Sequence, residues 1–258
     1  MPKFSANLGF LWRELPLLDR ITAAGRAGFR AVELHGPYDT DAALVRAACE
    51  ANAVTLVSIN APHGDGAKGD FGLGALQGRR DDFKASIEQA LAYARAAGAS
   101  AVHVLAGIVA EAEKPRAREI FEDNLAWAAL QAPDLTLLLE PINQRDAPGY
   151  FHSTTTEVVS LIGTVGAPNL RLLFDVYHAA IGEGDILTRL ERLMPVIGHV
   201  QIAAVPSRAE PDEGEIAYPA IFDALDRHGY AGWVGCEYRP RAGTDAGLGW
   251  VDRLGVRL

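Results

Sequence analysis

Four short apolar runs each end in a side chain suited to a hard cation: Leu137-Leu138-Leu139-Glu140, Leu172-Leu173-Phe174-Asp175, Gly198-His199-Val200-Gln201 and Val234-Gly235-Cys236-Glu237. Their last residues stand 35, 26 and 36 positions apart, about one strand-plus-helix unit each, so a closed barrel would bring all four to one mouth. One carboxylate after a strand is an ordinary helix cap or rim ion pair. Four at the same level on consecutive units point instead to a shared divalent-cation site. Two Glu, one Asp and a Gln amide form an all-oxygen set with no imidazole or thiolate, which suits Mg²⁺ or Mn²⁺ better than Zn²⁺ or copper. Such a cation polarises a carbonyl and stabilises the enediolate formed when the neighbouring carbon loses its proton. Carboxylates on either side of that plane can carry the proton between carbons, and Glu140 and Glu237 are the two candidates.

The elements that must position these residues repeat along the chain. Strands are expected at Lys3 to Ala6, Ala31 to Leu34, Thr55 to Asn60, Ala101 to Leu105, Leu135 to Glu140, Leu170 to Asp175, Ile197 to Gln201 and Trp233 to Glu237. Helix-period segments follow at Leu17 to Ala27, Asp41 to Asn52, Arg79 to Ala97, Pro115 to Leu130, Thr154 to Val165, Asp185 to Leu193, Tyr218 to His228 and Thr244 to Leu254. Eight of each is the count of a single-domain (β/α)8 TIM barrel, and no linker or shift of composition divides the 258 residues. Gly28, Gly98, Gly166 and Gly229 fall just past helices, Thr154 with Glu157 fits a capping box, and Asp185 is placed to cap the following helix.

Composition excludes several partners. A net charge of −9, with only four lysines and no basic cluster, is wrong for a phosphate backbone. No apolar stretch approaches the ~20 residues of a membrane span, and the N-terminus runs straight into a strand rather than a signal peptide, so a cytoplasmic protein is expected. Cys49 and Cys236 fit reduced core residues. A small-molecule partner is expected, and a homo-oligomer is compatible with this composition.

Gly64, Gly66 and Gly69 spell G-x-G-x-x-G, but no helix opens on them; Asp70, Gly72 and Gly74 follow, and the segment is expected to be a mobile loop over the mouth, poised as a lid.

The phrases Glu140-Pro141-Ile142-Asn143, Phe174-Asp175-Val176-Tyr177-His178, Gly198-His199-Val200-Gln201-Ile202-Ala203 and Gly235-Cys236-Glu237-Tyr238 resemble those of the hydroxypyruvate isomerase family, within the xylose-isomerase-like TIM barrels. Phe4-Ser5-Ala6-Asn7-Leu8, the Gly28 to Glu33 segment, Asn60-Ala61-Pro62 with Gly64-Asp65, and Ala246-Gly247-Leu248 match in kind and order, so the resemblance covers nearly the whole chain. It implies a divalent-metal-dependent isomerase of small oxo acids, interconverting hydroxypyruvate and tartronate semialdehyde or a 2-oxo and 3-oxo tetronate pair. The implied metal ligands are Glu140, Asp175, Gln201 and Glu237, with Glu140 and Glu237 as the acid/base pair. Related sugar epimerases usually carry His where Gln201 stands, which favours the oxo-acid branch over a ketose 3-epimerase. The chain departs from the family pattern at Ala204-Val205 and Ala209-Glu210-Pro211, where Asp-Asn and His-Glu-Pro are usual, so the loop that borders the mouth differs. A non-catalytic metabolite-binding barrel is the alternative that this altered loop suggests.

A carboxylate substrate needs a cation or hydrogen-bond donors. His178, Arg208 and Lys68 on mouth-side segments are candidates to bind substrate, and Glu183 to support it. His199 precedes Gln201 by two and should lie one layer deeper on the same face, as a core histidine with a satisfied ring; His103 is read the same way. Glu33 and Asn7 are placed to line the mouth, while His35, His63, His152 and His228 read as surface or loop residues.

Overall fold

Parallel strands wrapped by helices are buried on both faces, and these strands are almost wholly apolar or inward-facing polar. The computed structural model describes residues 1–258 and shows eight parallel strands closed in chain order: β1 (Lys3–Asn7), β2 (Ala31–Leu34), β3 (Thr55–Asn60), β4 (Ala101–His103), β5 (Thr136–Leu139), β6 (Leu170–Asp175), β7 (Ile197–Ile202) and β8 (Trp233–Cys236), with β8 pairing back onto β1. The outer ring comprises α1 (Leu17–Ala27), α2 (Ala42–Ala51), α3 (Arg80–Ala97), α4 (Lys114–Gln131), α5 (Thr155–Val165), α6 (Val176–Gly182), α7 (Ile186–Leu193), α8 (Tyr218–Arg227), α9 (Thr244–Gly247) and α10 (Trp250–Arg253). The expected (β/α)8 barrel is therefore the fold.

One cluster of 67 buried apolar residues fills the space between barrel and helices, while Ala101, Leu138 and Leu173 form a separate group inside the barrel. Following the two-residue strand period from that inner group gives two layers along the axis. The deeper layer adds Ser5, Glu33, Ser58, His199 and Gly235, and is thus unusually polar for a barrel floor. The upper layer carries Asn7, His103, Glu140, Asp175, Gln201 and Glu237, all buried.

Caps explain most of the helix boundaries. Gly28, Gly98 and Gly166 close α1, α3 and α5 in the left-handed region, with φ of 107°, 84° and 66°. Thr154 and Glu157 form the expected reciprocal capping box. Asp185 departs from expectation: it takes φ 52° and its side chain makes no capping bond, so α7 begins from its backbone carbonyl alone. The extra helix α6 went unforeseen because Val176 to Gly182 is too short to show a helical period and opens with strand-favouring Val and Tyr. The expected last helix is two short turns, α9 and α10. Glu140 and Glu237 each stand one residue past their strands, where the backbone leaves the ladder, and β4 stops at His103 rather than Leu105. Both cysteines are buried and free. No helix is long and apolar enough to cross a membrane.

Candidate active site

Glu140, Asp175 and Gln201 share an unusual condition: each presents a buried oxygen with no hydrogen-bond partner, Glu140 Oε1, Asp175 Oδ2 and Gln201 Oε1. Oxygen atoms of Glu140 and Asp175 and a ring nitrogen of His178 lie within 4.8 Å of one another. A buried acceptor left unpaired costs roughly 1–3 kcal/mol, so three together on adjacent strands are stable only if something positive meets them. The unpaired oxygens of Glu140 and Asp175, with Gln201 at the next strand end, suit a divalent cation, while Glu237 is not part of the close group.

The other polar side-chain atom of Asp175 and of Gln201 is tied down, which decides where the free oxygen goes. Asp175 Oδ1 caps α6 by accepting the backbone N–H of Tyr177 at 2.8 Å. Gln201 Nε2 donates to Glu33 Oε2 at 2.9 Å. Glu33 in turn accepts from Ser5 Oγ and lies 3.0 Å from His199 Nε2. Gly235 makes the room: a side-chain carbon there would stand 2.3 Å from Glu33 Oε1. His199 thus sits one layer below Gln201, as expected, but its Nε2 approaches Glu33 without a well-formed hydrogen bond, so its ring is not satisfied as expected.

Glu237 is held differently from the other three. Its Oε1 accepts from Arg208 Nη2 at 2.6 Å and its Oε2 from Asn7 Nδ2 at 2.7 Å, with His35 Nε2 3.4 Å away. Burial alone would raise its pKa, but the bond and charge of His35 and the Arg208 guanidinium outweigh burial and hold it at about 2. Glu140 goes the other way. Burial first, then repulsion from Glu237 and Asp175, pushes its carboxyl well above the usual range. Asp175 rises to about 7 for the same two reasons, burial and Glu237. Two carboxyls facing one space are therefore shifted in opposite directions.

Arg208 lies across the mouth with its guanidinium 4.8 Å from the Phe10 ring and 4.9 Å from that of Tyr177. It also reaches Asp146 at 3.3 Å, while its buried Nε has no acceptor. The backbone at Arg208 is left-handed, φ 56°, a conformation that costs a non-glycine residue about 1 kcal/mol or more. The surroundings hold it there: Arg208 C=O accepts the N–H of Arg239, and the same loop is clamped by Arg241, whose guanidinium meets Glu210 at 2.8 Å, Asp212 at 3.1 Å and Glu213.

Glu140, Glu237, His178, Arg208, His35 and His103 line one cavity of about 870 Å³ at the C-terminal ends of the strands. The model of the family described as xylose isomerase-like TIM barrel matches residues 21–254 of this sequence. The chain belongs to that family. Among xylose isomerase-like relatives, the 2-oxo-tetronate isomerase of Cupriavidus necator is 49% identical over 97% of this chain and 98% of its own. The putative hydroxypyruvate isomerase of Homo sapiens is 45% identical over 98% and 96% respectively. A crystal structure from Brucella melitensis, described as an AP endonuclease of family 2, superposes with TM-score 0.95 at 42% identity, over 98% of this chain and 99% of that one.

Within this xylose isomerase-like barrel, two expected substrate residues lie elsewhere. Lys68 is 77% exposed, pairs with Asp65 at 3.3 Å and does not line the cavity. Glu183 accepts the Thr155 backbone N–H at 2.6 Å and pairs with Arg189 at 2.8 Å, so it serves the start of α5 rather than the mouth. The glycine-rich loop is less free than expected. Asp70 pairs with Arg79 at 3.1 Å and Gly72 bridges to Ala106, while residues 63–69, with a short 3-10 turn at Gly66–Lys68, and Phe71 remain exposed.

Three histidines not expected at the site, His35, His63 and His103, line the cavity. His103 Nε2 lies 3.6 Å from Glu140 Oε2 without a bonding partner, so its ring is not satisfied as a core histidine's should be. His35 borders Glu237, and the two-residue period from inward-facing Glu33 was the available signal. His152, expected on a loop surface, is 1% exposed and packed against the rings of Phe121, Tyr150 and Phe151.

Proposed function

We propose that the protein is a divalent-metal-dependent isomerase of three- and four-carbon oxo acids, interconverting hydroxypyruvate with tartronate semialdehyde or a 2-oxo-tetronate with its 3-oxo isomer. The observation that carries this reading is the set of unpaired buried oxygens on Glu140, Asp175 and Gln201 at adjacent strand ends, beside a cavity that Glu140 and Glu237 both line. The names of the relatives from Cupriavidus necator and Homo sapiens support the same reaction class.

Isomerisation requires one proton to leave a carbon, one to arrive on its neighbour, and a hydroxyl proton to pass between the two oxygens. Glu237 is the acceptor for the carbon-bound proton, and Glu140, which lines the same cavity, returns a proton to the adjacent carbon. Arg208, with its Nε free and its charge always present, holds the substrate carboxylate, stiffened by Phe10 and Tyr177 on either side. His178 offers a ring nitrogen to a substrate oxygen from the same wall. Mg²⁺ or Mn²⁺ held by Glu140, Asp175, Gln201 and Glu237 would polarise the substrate carbonyl and fix the two reacting oxygens in one plane.

The test is a panel of small 2-oxo and 3-oxo acids and ketoses incubated with Mg²⁺ and Mn²⁺ in deuterium oxide. Deuterium should enter an oxo acid at the carbon next to its carbonyl as product forms. Turnover of ketoses alone, or tight binding with no exchange, would overturn the reading in favour of a sugar epimerase or a pure binding barrel.

A further inference from the structure

Asn143 is fully buried, does not line the cavity, and meets His178 from behind. Its side-chain amide lies 2.6 Å from His178 Nδ1, and its backbone N–H donates to the same nitrogen at 3.3 Å. The amide's orientation is fixed independently, because its Oδ1 accepts the Asp146 backbone N–H at 2.9 Å, leaving the Nδ2 end for the ring. An imidazole nitrogen that accepts N–H bonds carries no proton, so in the neutral ring the proton resides on Nε2. That Nε2 lies 3.6 Å from Glu140 Oε1 and 3.7 Å from Asp175 Oδ2, on the cavity side.

We propose that Asn143 is a positioning residue that fixes the Nε2–H tautomer of His178, so that the ring donates to a substrate oxygen and cannot join Glu140 and Asp175 as a cation ligand. By distance alone the three groups could form a two-carboxylate, one-imidazole site, a set suited to zinc or cobalt. The proton on Nε2 removes the lone pair that such a site needs. The donor set then remains all oxygen, and the cation a hard one. The role of the N–H toward substrate rests on the oxo-acid reading; the tautomer does not.

Ring-nitrogen NMR of metal-free protein carrying ¹⁵N-histidine tests this directly. Wild-type His178 should show a protonated Nε2 and an unprotonated Nδ1. Asn143→Asp keeps the shape and the acceptor for Asp146 N–H but presents an oxygen to Nδ1, and it should reverse the two. Calorimetric titration of the same metal-free proteins should then show the Co²⁺-to-Mn²⁺ affinity ratio rising at least tenfold in the variant, because Nε2 now faces the two carboxylates with a lone pair. A wild-type ring protonated on Nδ1 overturns the proposal, as does a variant that keeps the wild-type pattern or weakens both metals equally. Should Asn143→Asp fail to fold, the wild-type spectrum still decides the tautomer, and Asn143→Ser, whose hydroxyl can either donate or accept, should show a mixture of the two. Neither readout uses substrate, so a failure here and a failure of oxo-acid turnover are separate results.

Discussion

Glu33 accepts the Nε2–H of Gln201 at 2.9 Å, and this one bond leaves the amide oxygen as the atom free to meet a cation. Substituting Glu33→Gln gives Gln201 a partner that can donate as well as accept, so the amide is no longer held one way round. Loss of such a supporting partner typically costs ten- to a hundredfold in metal affinity. Calorimetric titration of the metal-free variant with Mn²⁺ should show a loss of that size. Unchanged affinity would mean that Glu33 only fills the barrel.

Glu140→Gln removes the proton donor while keeping an oxygen for the cation. Turnover at saturating Mn²⁺ should fall by roughly 10²–10⁴, the usual worth of a positioned acid or base, while Mn²⁺ still raises the melting temperature. Near-normal kcat in this variant would remove Glu140 from the proton path.

Asp175 makes a prediction about pH. Burial and Glu237 raise its folded-state pKa to about 7, above the unfolded value, so its contribution to stability is present at low pH and is lost as pH rises through about 7. A cation relieves that loss and binds only the ionised carboxylate. The rise in melting temperature on adding Mn²⁺ should therefore be larger at pH 8 than at pH 5.5, and Asp175→Asn should flatten the difference. Equal shifts at both pH values would count against a cation at this carboxylate.

His152 works in the opposite sense. Burial lowers its pKa to about 4, so its contribution is present above the unfolded value near 6.5 and is lost as pH falls toward 4. Its ring nitrogens make no well-formed hydrogen bond, the Glu140 backbone being the polar group they approach, and three aromatic rings pack against it. His152→Phe should fold, melt a few degrees higher at neutral pH, and lose less stability at pH 5 than wild type does. A lower melting temperature at both pH values would show that the ring makes a polar contact worth keeping.

How far the chain could be read in advance varied with the kind of signal. The barrel followed from residues whose effect is local and periodic: apolar runs for strands, Gly28 and Gly98 for helix ends, Thr154 with Glu157 for a start. The strand-end residues Glu140, Asp175 and Gln201 could be placed side by side because consecutive units of a closed barrel must bring them level. Loop residues obeyed no such rule. Lys68 and Glu183 were sited correctly along the chain yet lie away from the cavity, because loop direction depends on pairs such as Asp70 with Arg79 that no spacing announces. The polar floor under the mouth was hidden for another reason: Ser5, Glu33 and His199 come from three distant strands and acquire meaning only once the barrel closes.

The clamp made by Arg241 with Glu210, Asp212 and Glu213 joins the segment bearing Arg208 to the one that follows β8. The strand tips and these two loops are thus separable parts of different character, a fixed anvil and an exchangeable jaw. An engineer wishing to recruit a new acid to this scaffold should transplant both loops as a single cassette, since either one moved alone would strand buried charge and let Arg208 swing out of register with the anvil beneath it.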